Sequence, residues 1–106
     1  MIRLATIEDI PRIVQMLQGF HQSAGVDKGL GFVPTDLVRY CVFLMEMSTS
    51  VVMVAEEGEE VIGTVSGLVS PMWTDFSQLV LTEHWWWVDP EHRGGKLSFE
   101  LIDELA

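Results

Sequence analysis

The chain has 106 residues, room for one domain, and 48% of them are hydrophobic, which predicts a buried core and not a disordered chain. Six basic residues against sixteen acidic ones give a formal net charge of −10, a surface that repels phosphate backbones and excludes a general nucleic-acid partner while favouring a cation such as an amine. The one cysteine, Cys41, excludes an intrachain disulfide and a cysteine-based zinc cluster; with no apolar run near the roughly 20 residues that cross a bilayer and no signal-like start at Met1-Ile2-Arg3-Leu4-Ala5, a soluble, cytoplasmic protein without metal or membrane is expected.

Ile2 to Ala5 reads as a short first strand. Thr6 is a good N-cap, and Glu8 and Asp9 follow in the first turn, where acids favour the helix dipole. Ile10, Ile13, Val14, Leu17 and Phe20 then recur at the spacing of one helical face. Pro11 is tolerated because it lies near the start, and the helix should end near Ala24-Gly25. Residues 25 to 34 hold three glycines and a proline and form a loop. Thr35 can cap a second helix running through Met47, with Leu37, Val38, Cys41, Leu44 and Met45 inward.

Val51 to Ala55 and Val61 to Val69 are apolar strands joined as a hairpin across Glu56 to Glu60. Gly63 and Gly67 inside the third strand predict a bulge or a close backbone approach. Pro71 to Gln78 reads as a loop carrying Met72, Trp73 and Phe76, side chains suited to shaping a substrate pocket or covering a sheet edge. Val80 to Val88 is a fourth strand ending in three tryptophans, and Leu97 to Leu105 has helical spacing. Residues 1–106 therefore form one α/β domain of order β-α-α-β-β-β-α, an α+β layering with a mostly antiparallel sheet flanked by helices.

The informative stretch is Val88-Asp89-Pro90-Glu91-His92-Arg93-Gly94-Gly95-Lys96-Leu97-Ser98: the end of a strand, a tight turn, and a glycine-opened entry into a helix. A helix start presents unpaired N–H groups and the positive end of its dipole, and glycines let an anion reach them. Arg93 and Lys96 add full charges in a chain with only six. A pyrophosphate suits such a place; a turn glycine with no ligand is the plainer alternative.

These residues resemble the GNAT superfamily of N-acetyltransferases. Val88 to Gly95 looks like that family's strand-four ending and pyrophosphate loop, Ile2 to Thr6 with Glu8-Asp9-Ile10 is similar to its first strand and helix, and Val61-Ile62-Gly63 sits where its third strand does. The loop pattern of the family begins with Gln or Arg, then two variable residues, Gly, one variable residue, and Gly or Ala. Arg93 starts it, but Lys96 stands at the first required Gly and Ser98 at the second small position. The family domain continues past this helix with a fifth strand, a fourth helix carrying a tyrosine general acid, and further strands, and the 106 residues stop as the third helix completes. The resemblance therefore implies a domain without its C-terminal strands.

It further implies acetyl-coenzyme A as co-substrate and direct acetyl transfer to a small-molecule or peptide amine. Main-chain groups of Trp86, Trp87 and Val88 would hold the pantetheine arm, and Arg93, Gly94, Gly95, Lys96, Leu97 and Ser98 the pyrophosphate. Glu83 is the candidate general base, at a position similar to the catalytic glutamate of some members, where partial burial raises a carboxyl pKa. His84 is the rival, on the opposite face by alternation. Trp85 and Trp87 share one face and Trp86 the other, as a strand buried on both sides requires. An unpaired fourth strand beside large aromatics predicts a homo-dimer. The alternatives to an enzyme are a non-catalytic acyl-coenzyme-A-binding or structural module, or an inactive fragment of a longer acetyltransferase.

Overall fold

The computed structural model describes residues 1–23 and 31–105, with the side chains of residues 23, 98 and 105 left out. The elements run β1 (Ile2–Leu4), a 3-10 turn (Ile7–Asp9), α1 (Ile10–Ser23), α2 (Pro34–Glu46), β2 (Ser50–Glu57), β3 (Glu60–Met72), β4 (Asp75–Val88), a second 3-10 turn (Pro90–His92) and α3 (Leu97–Leu105). The expected order is present, and the four strands form one antiparallel sheet in the order β1-β2-β3-β4. The expected end of the first helix at Ala24-Gly25, and most of the loop that follows it, lie outside the described residues. No helix among the described residues is long and apolar enough to cross a membrane.

Strand alternation divides the core in two. On one face Val52, Val54, Trp85 and Trp87 pack under α1 and α2 with Ile10, Ile13, Met16, Leu17, Cys41 and Leu44. On the other, Met53, Ala55, Ile62, Val65 and Val88 pack under α3 around Leu101. Gly63 pairs with Val88, and a Cβ there would lie 3.1 Å from both the Leu101 side chain and the Trp87 carbonyl. That is the close approach the glycine predicts, and it lets α3 rest directly on the sheet.

In α2, Thr35 lies inside the helix, whose N-cap is Val33 ahead of Pro34, and Val38, expected inward, is exposed. Two expectations change for the sheet. Residues 71–78 are not a loop: β3 continues to Met72 and β4 begins at Asp75, leaving Trp73-Thr74 as a tight turn. Pro71 and the polar residues after it mask the strand, but a register irregularity between Pro71 and Met72 accommodates the residue that cannot donate to the ladder. The second correction concerns Trp86, which is 37% exposed. α3 has only nine residues and rests on the sheet near Val65 and Val88, so the outer part of that face is left open.

Asp9 anchors the chain's opening. Its carboxylate accepts from both Arg3 guanidinium nitrogens at 2.8 and 3.0 Å, and from the Thr6 N–H at 2.7 Å; Arg3 also reaches Glu56 on β2. The Arg3 hydrogen bonds hold the Asp9 carboxyl below its ordinary value of 3.8, the Thr6 bonds help, and burial opposes them. A carboxyl depressed in the fold contributes stability that is whole above its unfolded value and is lost as pH falls through the folded one. Acid unfolding followed by circular dichroism should therefore show a loss of stability below about pH 4 that Asp9→Asn flattens. An unchanged acid limb in the variant would contradict this.

Candidate active site

The site is built where β4 ends and α3 begins. Asp89 follows the strand with its N–H on the Ile62 carbonyl at 2.8 Å, and the 3-10 turn closes through His92 N–H to Asp89 O at 2.9 Å. Asp89 is buried and satisfied twice: the Trp87 indole N–H donates to Oδ1 at 3.1 Å, and Arg12 of α1 pairs with Oδ2. Arg12 also donates to the Val61 carbonyl at 3.0 Å. One arginine thus ties α1 to β3 and to the turn that presents α3. The sequence reading did not single out Arg12 or Asp89; an arginine on a helix that otherwise buries an apolar face carries no local signal of its distant partner.

Gly94 has φ +93°, a conformation that only glycine adopts without strain, and a Cβ placed on Gly94 or on Gly95 would meet nothing within 4 Å. The backbone is therefore approachable from outside at Gly94 and Gly95. Lys96 precedes α3, and its carbonyl takes the Glu100 N–H at 2.9 Å, so the free N–H groups of the first helical turn begin at this turn. The Lys96 side chain is exposed and pairs with no carboxylate among the described residues. With Gly95, Leu97, His92, Glu57 and Met1 it borders a cavity of about 280 Å³. Ser98 contributes backbone to the helix start, and its side chain lies outside the described residues. A diphosphate fits this turn on those grounds: open glycines, oriented N–H groups and an unpaired cation.

Arg93 does something the sequence does not announce. Its Nε donates to the Val88 carbonyl at 2.7 Å and its guanidinium lies over the Trp87 ring at 4.3 Å. The charge thus hugs the end of β4. Trp87 is buried at the centre of this arrangement, edge-on to Phe20 at 6.0 Å. Trp86, beside it, projects to the opposite, half-open face.

The two candidate proton acceptors are separated by a bulge. Ser66 pairs with Trp85 but Gly67 pairs with Glu83, so His84 is an extra residue in β4. This is the irregularity that Gly67 predicts. Because of it, His84 falls on the α2 side, its ring 5.9 Å from that of Tyr40 and 6.3 Å from that of Trp85. Glu83 shares the register position of Gly67, on the face opposite Trp85, and is exposed. The partial burial expected of it is not found. Among the described residues, Ser66 Oγ and His84 Nδ1 are buried without a hydrogen-bond partner.

The acetyltransferase (GNAT) family matches residues 16–106 of the chain. Among curated proteins no sequence matches it. Solved structures do: a transcriptional regulator from Bacillus halodurans is 22% identical with a TM-score of 0.81 over 99% of this chain and 70% of that one. A predicted acetyltransferase from Clostridium acetobutylicum, in a crystal structure with acetyl-coenzyme A, is 21% identical with a TM-score of 0.75 over 99% and 70%. A ribosomal-protein-alanine N-acetyltransferase from Brucella melitensis is 19% identical with a TM-score of 0.72 over 99% and 67%. At these identities the likeness is one of fold.

Proposed function

This chain belongs to the acetyltransferase (GNAT) family, and on that premise we propose that it moves an acetyl group from acetyl-coenzyme A directly to a primary amine, as a single domain over residues 1–106. The observation that carries the reading is the open turn at Gly94 and Gly95, set in a conformation reserved for glycine at the mouth of α3. In this reading the N–H groups of Gly94, Gly95, Lys96, Leu97 and Ser98, with the Arg93 and Lys96 charges, neutralise the pyrophosphate. Main-chain groups of Trp86, Trp87 and Val88 along the outer strand β4 hold the pantetheine arm and polarise the thioester carbonyl. Coenzyme A supplies the activated acetyl group. The amine nitrogen attacks the carbonyl carbon, the C–S bond breaks, and the thiolate leaves, while a β4 side chain takes the proton shed by nitrogen.

The acceptor is proposed to arrive as an ammonium, in keeping with the net charge of −10, and to release one proton to solvent before its nitrogen attacks; nucleic acid is not a proposed partner. The setting is proposed to be cytoplasmic on composition alone. We also propose a homo-dimer. Among the described residues β4 is the outer strand of the sheet, and Phe76, Leu79 and Leu81 on it are exposed, an edge that pairs readily with another copy. The bulge at His84 leaves residues 75–83 for that pairing and keeps the tryptophan end for the cofactor. Lys96, at the place of the family's first loop glycine, favours the non-catalytic module as the second reading.

One preparation tests these points. Calorimetric titration with acetyl-coenzyme A should show saturable binding, and a panel of primary amines should release free thiol. Cys41 is buried and desolvation pushes its thiol up to about 11, so a thiol reagent reads coenzyme A and not the protein. Binding without release across the panel would establish the non-catalytic module; no binding at millimolar concentration would end both readings. Light scattering at micromolar concentration should give twice the chain mass, and a monomer there removes the dimer.

A further inference from the structure

We infer that His84, and not Glu83, accepts the proton of the incoming amine, at the bulge where Ser66 lies across the ladder and Tyr40 of α2 packs against the imidazole. The inference rests on the acetyl-transfer reading above and assigns the one role that reading leaves open.

Three observations converge. The first is the bulge. Strict alternation from the buried Trp85 and Trp87 would turn Glu83 toward α1 and α2 and His84 toward α3, but the extra residue reverses both. α3 and the glycine turn flank one face of the sheet, which leaves the α2 face for the acceptor, and that is the face His84 reaches. The second is polar accounting. Buried polar atoms are almost always satisfied, and an orphan calls for a missing partner. Both orphans among the described residues, Ser66 Oγ and His84 Nδ1, belong to this bulge. Nearby hydroxyls are not spare: Thr64 Oγ1 already accepts from the Trp85 indole at 3.1 Å and donates to the Met53 carbonyl at 2.9 Å. The third is the aromatic neighbourhood of the imidazole. Tyr40 faces His84 and stacks with Phe43, ring centroids 6.2 Å apart, and both are more than a third exposed. Aromatic faces attract an ammonium and accept an apolar body behind it.

Tyr40 is the one titratable group that the described contacts set against the imidazole from another element; Ser66 pairs with Trp85 next to it in the ladder, and Glu83 takes the register position of Gly67 on the opposite face. An imidazole can hold its place through one nitrogen and take a proton on the other. With Nδ1–H donating to the Ser66 hydroxyl through a water, the Nε2 lone pair is the acceptor: the ammonium first gives one proton to solvent, which frees the nitrogen to attack, and Nε2 receives the second as the C–N bond forms. The C–S bond breaks, and the departing thiolate collects a proton from solvent.

The test uses the full chain, with phenethylamine as acceptor probe. His84→Gln should cut thiol release by about 100-fold or more, whereas Glu83→Gln should stay within about twofold, and both should bind acetyl-coenzyme A like the parent. Imidazole added to His84→Ala should restore part of the rate. Should the parent turn phenethylamine over too slowly to compare, ring-nitrogen NMR signals of His84 decide: they should move when phenethylamine is added, and in Ser66→Ala they should move without it. The proposal is overturned by His84→Gln at the parent rate, by the loss appearing in Glu83→Gln, or by His84 signals that ignore the amine. Failure of acetyl-coenzyme A to bind the parent chain is a different result and strikes the transfer reading itself.

Discussion

Gly94→Val should weaken acetyl-coenzyme A binding by about 5- to 150-fold while the domain remains folded. The range follows from holding a non-glycine residue at a positive φ, which costs about 1–3 kcal/mol, more for a β-branched side chain. Gly94 sits at φ +93° with no atom within 4 Å of an added Cβ, so the substitution acts chiefly through the backbone. The turn relieves the strain by rotating to negative φ, which carries the N–H groups out of line with the phosphates. Gly95→Ala is the control: the space beside it is equally open and its φ is not positive, so its affinity should stay within about twofold. Calorimetry on the two variants separates conformation from bulk. Equal loss in both would mean that the turn works by clearance; no loss in either would remove it from the site.

The second large effect is on stability. Asp89→Ala should cost about 3 kcal/mol, a fall in melting temperature of about 12–24 °C for a domain of this size. The carboxylate serves two partners with little access to water. Its removal orphans the buried Trp87 indole N–H, worth about 1–3 kcal/mol, and strips Arg12 of its ion pair, a smaller loss because the arginine keeps the Val61 carbonyl and Gln15. Asp89→Asn retains an oxygen for the indole and should cost roughly half as much. Thermal melts by circular dichroism give both numbers. A loss below about 1 kcal/mol in the alanine variant would mean that α1 is held to the turn by packing alone, through Phe20 against Trp87 and Gly19 against its ring.

Much of this was legible in the residues. The helices declare themselves because apolar spacing along Ile10 to Leu17 and along Leu97 to Ile102 reports directly which face is buried. The glycine turn is equally plain, since its chemistry is local: backbone, charge and the start of a helix all lie within a few positions. What escaped is what depends on partners far along the chain. The outer hairpin from Pro71 to Gln78 looks like a loop because strand membership there is decided by the facing strand. Arg93 reads as a phosphate ligand and nothing more, since its second attachment, to Val88 and the Trp87 ring, appears only once the turn has folded. The bulge is the hardest case. Glu83-His84-Trp85-Trp86-Trp87 contains no residue that marks an irregularity, and the sole hint, Gly67, lies on the other strand.

His84 is in effect a letter that the ladder skips. Because Glu83 and Trp85 already lie against consecutive residues of β3, excising the histidine would splice the strand into an unbroken run without moving any other residue to a new neighbour. No residue of β3 takes this position as its partner in the ladder. A deletion variant should thus keep its architecture and surrender one imidazole, which makes the molecule its own scaffold control.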